Sequence, residues 1–174
     1  MAGRGFRRKA GLVLSLALMS AMATASNWDK PTGLDAWIDY NLCDLNTGWH
    51  DAWHSNNDHD IAPTEIIPTH IRGCSTVEVR VTDSFYGSAS PPGFWHCPNG
   101  NQSVCLTGHV HINLDKAGGY TAAQKLALMC QEVGHGVGPA HATSGNSCMH
   151  NPISVERQHL VQHDIDILNA EYES

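Results

Sequence analysis

From Cys130 to His141 the chain reads CQEVGHGVGPAH, and SCMH follows at 147–150. Gln131 and His135 are four residues apart and share one face of a helix, while Glu132 is turned by about 100° and leans over the same opening. Gly138 can take positive φ without penalty, so the chain can reverse after that helix and swing His141 back toward His135. A catalytic zinc ion takes three protein ligands, keeps one position for water and works beside a carboxylate that accepts the water's proton. Gln131, His135 and His141 answer to the three ligands, and Glu132 to the carboxylate. With this content of Glu, His and Gly, a glutamate followed by His, Gly and His at this spacing arises by chance only about 0.003 times.

These groups need a helix to hold them, and the preceding residues supply one. Thr121-Ala-Ala-Gln124 is a capping-box pattern. Ala122, Leu126, Met129 and Val133 then repeat at four, three and four residues, which predicts a helix over about 122–135 that buries this stripe. Gly134, Gly136, Gly138 and Pro139 end it. Upstream, Trp49, Ala52 and Trp53 have helical spacing, so a short helix is expected near 47–57 with Thr47 as its cap. Three extended pieces lie between: 64–71, 76–83 with Val77, Val79 and Val81 alternating, and 108–115 with Val110, Ile112 and Leu114 alternating with His109, His111 and Asn113. A loop rich in Gly, Ser and Pro is expected over 87–93. Val161, Ile165, Leu168 and Tyr172 mark a closing helix. The fold class is therefore α+β.

Composition narrows the function. The first 25 residues run from a basic stretch, Arg4 to Lys9, through apolar Ala10 to Met22, to Ala23-Thr24-Ala25. That order is expected of a signal peptide cut at Ala25, and the apolar run is too short to span about 30 Å of hydrocarbon. Residues 26–174 then form one domain, secreted and monomeric. Removing Arg4, Arg7, Arg8 and Lys9 takes the formal charge from −7 to −11, which disfavours nucleic acid or an anionic membrane as partner. Twelve histidines are about three times ordinary usage. Six cysteines in an exported chain imply three disulfides, for which 15 pairings exist. Cys97 and Cys105 flank a turn-forming loop and are expected to pair. A Cys130–Cys148 bond would tie two walls of one site, leaving Cys43 for Cys74.

Glu132, His135, Gly138 and His141 resemble the extended zinc motif H-E-x-x-H-x-x-G-x-x-H of the metzincin metalloproteases, and Ser147-Cys148-Met149 resembles their Met-turn at a spacing similar to the matrixin branch. HVHINLD, 109–115, resembles the strand before the active-site helix, and HDIDILNAEY, 163–172, the closing helix. The resemblance spans roughly 47–172, with its specific part from Gln131 to Met149. It implies a small zincin-like domain with a twisted mixed sheet, an active-site helix and a C-terminal helix. The implied activity is Zn2+-dependent hydrolysis of a protein or peptide in an extended cleft, with Met149 beneath the metal as a structural residue. His150 occupies a rim position near where some relatives stabilise the oxyanion.

One departure matters: Gln131 replaces the first histidine. A neutral amide oxygen is a weaker donor to Zn2+ than imidazole, so affinity should fall. Two alternatives stay open: a binding module of the family fold with weak or no zinc, and a histidine-rich secreted chelator. Elsewhere, HDAWHSNNDHD at 50–60 reads as a solvated helix face running into an acidic loop, with a second metal site as the competing reading. His109 and His111 point to one side of their strand and could replace the missing ligand if that strand borders the cleft.

Overall fold

A computed structural model of the chain describes residues 36–42, 45–71, 77–100, 105–143 and 145–172. The expected signal peptide and the expected Cys43–Cys74 pair lie outside the described residues. In chain order the elements are β1 (Trp37–Asn41), α1 (Thr47–Asn56) running into a π-helical turn (Asn57–Ile61), β2 (Ile67–Ile71), β3 (Val79–Ser84), β4 (Gly93–Gly100), β5 (Cys105–Asn113), α2 (Leu114–Ala117), α3 (Ala122–Val137) and α4 (Gln162–Tyr172). The architecture is α+β. Among the described residues no helix is long and apolar enough to cross a membrane.

The five strands form one mixed sheet in the order β2-β1-β3-β5-β4. β1 runs parallel to both β2 and β3, and β3 runs parallel to β5 with Val81 opposite Val110. β4 is antiparallel to β5 and forms one edge of the sheet. The two-residue period of β1, β3 and β5 sends Ile38, Tyr40, Val79, Val81, Val110 and Ile112 to one face, where all are buried. α1 and α3 cover that face with Trp49, Trp53, Leu128, Met129, Val133 and Val137, and these side chains join the strands in a single apolar cluster. α4 adds Leu168 and Tyr172, and the Tyr172 hydroxyl donates to the Val137 carbonyl at 3.1 Å, tying the C-terminal helix to the end of α3.

Several local expectations need correction. The cap of α1 is Asn46 rather than Thr47: its extended backbone lets its side chain accept from the Trp49 N–H. The strand expected from residue 64 begins at Ile67, because the Thr64 N–H and hydroxyl both donate to the Ile61 carbonyl and close a turn. The acidic loop expected after α1 is instead the π-helical turn. There Asp60 is buried and accepts from Asn56 Nδ2 at 2.7 Å and from the Leu160 N–H at 2.8 Å. β1 and β4 add two strands to the three extended pieces expected: β1 takes its backbone partners from the distant β2 and β3, and β4 pairs as a hairpin with β5, the next strand in the chain.

Candidate active site

Helix α3 carries the capping box: Thr121 Oγ1 accepts from the Gln124 N–H at 3.3 Å and Gln124 Oε1 accepts from the Thr121 N–H at 2.9 Å. It ends at Gly138, where φ is +128° and the N–H donates to the Gly134 and His135 carbonyls. Only glycine takes that backbone cheaply, and the reversal it permits returns His141 to the helix. His135 Nε2 and His141 Nε2 lie 3.2 Å apart, with the two rings nearly perpendicular at 85°. His135 Nδ1 is 3.0 Å from the Pro139 carbonyl, which can only accept. That bond fixes the proton on Nδ1 and leaves Nε2 with its lone pair in the neutral ring.

Gln131 and Glu132, 2% and 5% exposed, open with His135 and His141 onto one cleft of about 670 Å³. Pro91, Pro92, Gly93, Phe94 and Trp95 line the same cleft, together with Tyr120 and Asn151, Pro152 and Ile153. Gln131 Nε2 is buried with no hydrogen-bond partner among the described residues. A half-turn of the amide exchanges this nitrogen for the oxygen at little steric cost, so the orphaned position suits a group that accepts a lone pair.

Tertiary packing holds the cleft in shape. Met149 is fully buried under α3, so close that a Cβ on Gly134 would lie 2.3 Å from its sulfur. The expected Cys130–Cys148 disulfide is present and ties α3 to the Met149 segment, and Cys97–Cys105 closes the β4–β5 hairpin. Trp95 fills the space between β5 and α3, where Gly108 and Gly136 leave room for its ring.

One positioning residue, Asn113, was read from the sequence only as part of a strand. Fully buried, it donates through Nδ2 to the Gly87, Ser90 and Pro91 carbonyls and accepts from the Tyr86 and Asp115 N–H groups. It thereby shapes the loop that delivers Pro91 and Pro92 to the cleft. A polar residue at the end of an apolar strand, just before a turn, was the available signal.

The other histidines lie elsewhere. His109 and His111 alternate with buried Val110 and Ile112, so they occupy the sheet face away from α3 and do not border the cleft. His111 Nδ1 meets the Tyr86 hydroxyl at 2.8 Å, and its ring stacks on Phe94. Burial, followed by the nearby positive charges of His109, His96 and Arg80, pushes the His111 pKa down to about 4. His150 lies against the Arg157 guanidinium rather than among the residues lining the cleft. His59 packs on His159, whose Nδ1 is 3.2 Å from Asp60. Among the described residues no group of three or more His, Cys, Asp or Glu side chains could hold a metal ion by itself.

Neither the family models nor the curated proteins compared with this chain match it.

Proposed function

We propose that this chain is a secreted zinc-dependent endopeptidase of the metzincin type, matrixin-like, with Gln131, His135 and His141 as metal-holding residues and Glu132 as general base. The observation that carries the reading is the approach of His135 Nε2 to His141 Nε2 at 3.2 Å in the cleft that Glu132 also lines. Two imidazole nitrogens on one tetrahedral zinc, with bonds near 2.1 Å, would stand about 3.4 Å apart. The orphaned amide of Gln131 agrees with a third, neutral donor. A mixed sheet with one antiparallel edge strand, a helix ended by a reversing glycine, and Met149 packed beneath it support a zincin-like fold.

Zinc, when bound, would supply Lewis acidity toward a peptide carbonyl and toward water. The remaining work falls to the chain's own groups. The Glu132 carboxylate takes a proton from the attacking water and returns it to the departing amine. The His135 Nδ1–H, held by the Pro139 carbonyl, keeps the ring's other nitrogen turned into the site. The outer edge of β4 offers backbone groups to an extended peptide lying along the cleft.

The test is elemental analysis of the purified mature protein together with cleavage of an unfolded protein substrate. One zinc per chain, chelator-sensitive cleavage, and loss of both in His135→Ala or His141→Ala are expected; Glu132→Gln should keep the metal and lose cleavage. No bound zinc and no cleavage would rule the enzyme out. The weak amide donor at Gln131 favours one second reading, a binding module that holds zinc poorly. Gln131→His separates the two: a large gain in zinc affinity and rate marks a competent site, and no gain in either marks the binding module.

A further inference from the structure

We infer that the sheet face away from α3 carries a binding site for a tetrahedral oxyanion, sulfate or phosphate, built on β3, β5 and the loop after β3. The register sets Arg80 of β3 beside His109 of β5, and His109 opposite His96 of β4. Two residues along, the next row holds Thr82, His111 and Phe94. Val79, Val81, Val110 and Ile112 alternate with these residues and are buried under the helices, so both rows lie on the other face. Arg80, Thr82, Ser84, Tyr86, His109 and His111 line a cavity of about 320 Å³ there, enough for the ion and part of a molecule that bears it.

The lining is a set of donors: a guanidinium, two imidazoles and three hydroxyls. The Tyr86 hydroxyl donates to His111 Nδ1 at 2.8 Å, which puts the proton of the neutral ring on Nε2. That Nε2–H and the ring nitrogens of His109 make no hydrogen bond among the described residues, so they remain for a ligand. Asp83, the carboxylate that also lines the cavity, is held by Asn46, whose N–H and Nδ2 both donate to Oδ2. The fixed charge of Arg80 decides the sign of the ligand: it repels a metal cation from the imidazole beside it and attracts an anion. An oxyanion accepts from all these donors, and its charge favours the second proton on His109 and His111 that burial, and then the positive neighbours, oppose.

The experiment is a titration of the full mature chain with sodium sulfate, read from its nitrogen-15 amide spectrum at pH 5.5 with chloride holding the ionic strength constant. Saturable shifts gathered on 80–86, 94–96 and 107–111 are expected. Arg80→Gln and His111→Phe should each weaken binding about tenfold, the loss of one charge-assisted contact, with the far-ultraviolet circular dichroism unchanged. Thr82→Val, which keeps the shape of the side chain, should weaken it less. Sulfate keeps its charge from pH 5.5 to 7.5 while His109 and His111 lose theirs, so affinity should fall about fivefold over that range; Arg80, Asp83, Tyr86 and His96 are the other charged or titratable groups around them. Phenyl phosphate beside inorganic phosphate identifies the source: tighter binding of the ester marks an anion carried on a larger molecule, and equal or weaker binding marks the free ion. Absence of saturable binding of both sulfate and phosphate overturns the inference. So does an affinity unaltered in the folded Arg80→Gln and His111→Phe variants, or one lost in His135→Ala instead.

Discussion

Gly93, the first residue of β4, lies against Glu132 so closely that a Cβ there would be 2.9 Å from the carboxylate Oε1 and 2.8 Å from Leu128 Cδ1. The strand wall of the cleft and the acid on α3 are therefore set at one distance, which a single methyl group would widen. Gly93→Ala should displace Glu132 and lower kcat by about 10-fold to 100-fold, since misplacement of a reacting group by about 1 Å costs that much. Overpacking should take about 1–3 kcal/mol from stability. Cleavage kinetics beside a urea titration check this; an unchanged kcat would mean that the carboxylate position does not depend on the strand.

Asn113 governs the same wall from behind. In Asn113→Asp the carbonyls of Gly87, Ser90 and Pro91 would lose their donor and face a buried carboxylate. A loss of about 3 kcal/mol is expected from the unmet groups, together with a raised KM as the Pro91–Pro92 wall loosens. Denaturant unfolding and steady-state kinetics measure the two effects separately.

The two disulfides should differ in what they protect. Removing Cys130–Cys148 by paired alanine substitution opens a separation of 18 residues, and about 3 kcal/mol should be lost on the chain-entropy model. Removing Cys97–Cys105, with a separation of 8, should cost about 2.5 kcal/mol on the same model. The first bond holds Met149 under the site helix and the second closes a hairpin, so only the first should reduce zinc retention during dialysis.

Stability should respond to pH through His111. Burial pushes its pKa from an ordinary 6.5 down to about 4. Between those values the unfolded chain binds more protons than the folded one, so this residue's contribution rises with pH from about 4 to 6.5 and is lost as pH falls through the same window. Burial raises the Asp60 carboxyl, which acts in the opposite direction above pH 3.8. The measurement is therefore the difference between the parent and His111→Phe in urea midpoints across pH 4–7. The variant should have the flatter profile, and parallel profiles would contradict the assignment.

The local chemistry of this chain is legible in its sequence. The Thr121/Gln124 box, the apolar stripe of α3, the reversing Gly138, the alternation in β3 and β5 and the Cys97–Cys105 hairpin bond all depend on near neighbours or on simple periodicity. From these alone came the α+β class and the grouping of Gln131, Glu132, His135 and His141 on a helix and the turn after it. What depends on partners far along the chain could not be read. β1 is a strand because the distant β2 and β3 receive its backbone groups, and a five-residue segment carries little pattern of its own; β4 lies beside its partner β5 in sequence, but its Pro98 and glycines hide the two-residue period. The same holds for the sheet face taken by His109 and His111, for the loop gathered by Asn113 and for His70 beside α1. Each follows from register and packing among segments that meet only when the chain is folded, and pairwise spacing in a sequence has no access to that.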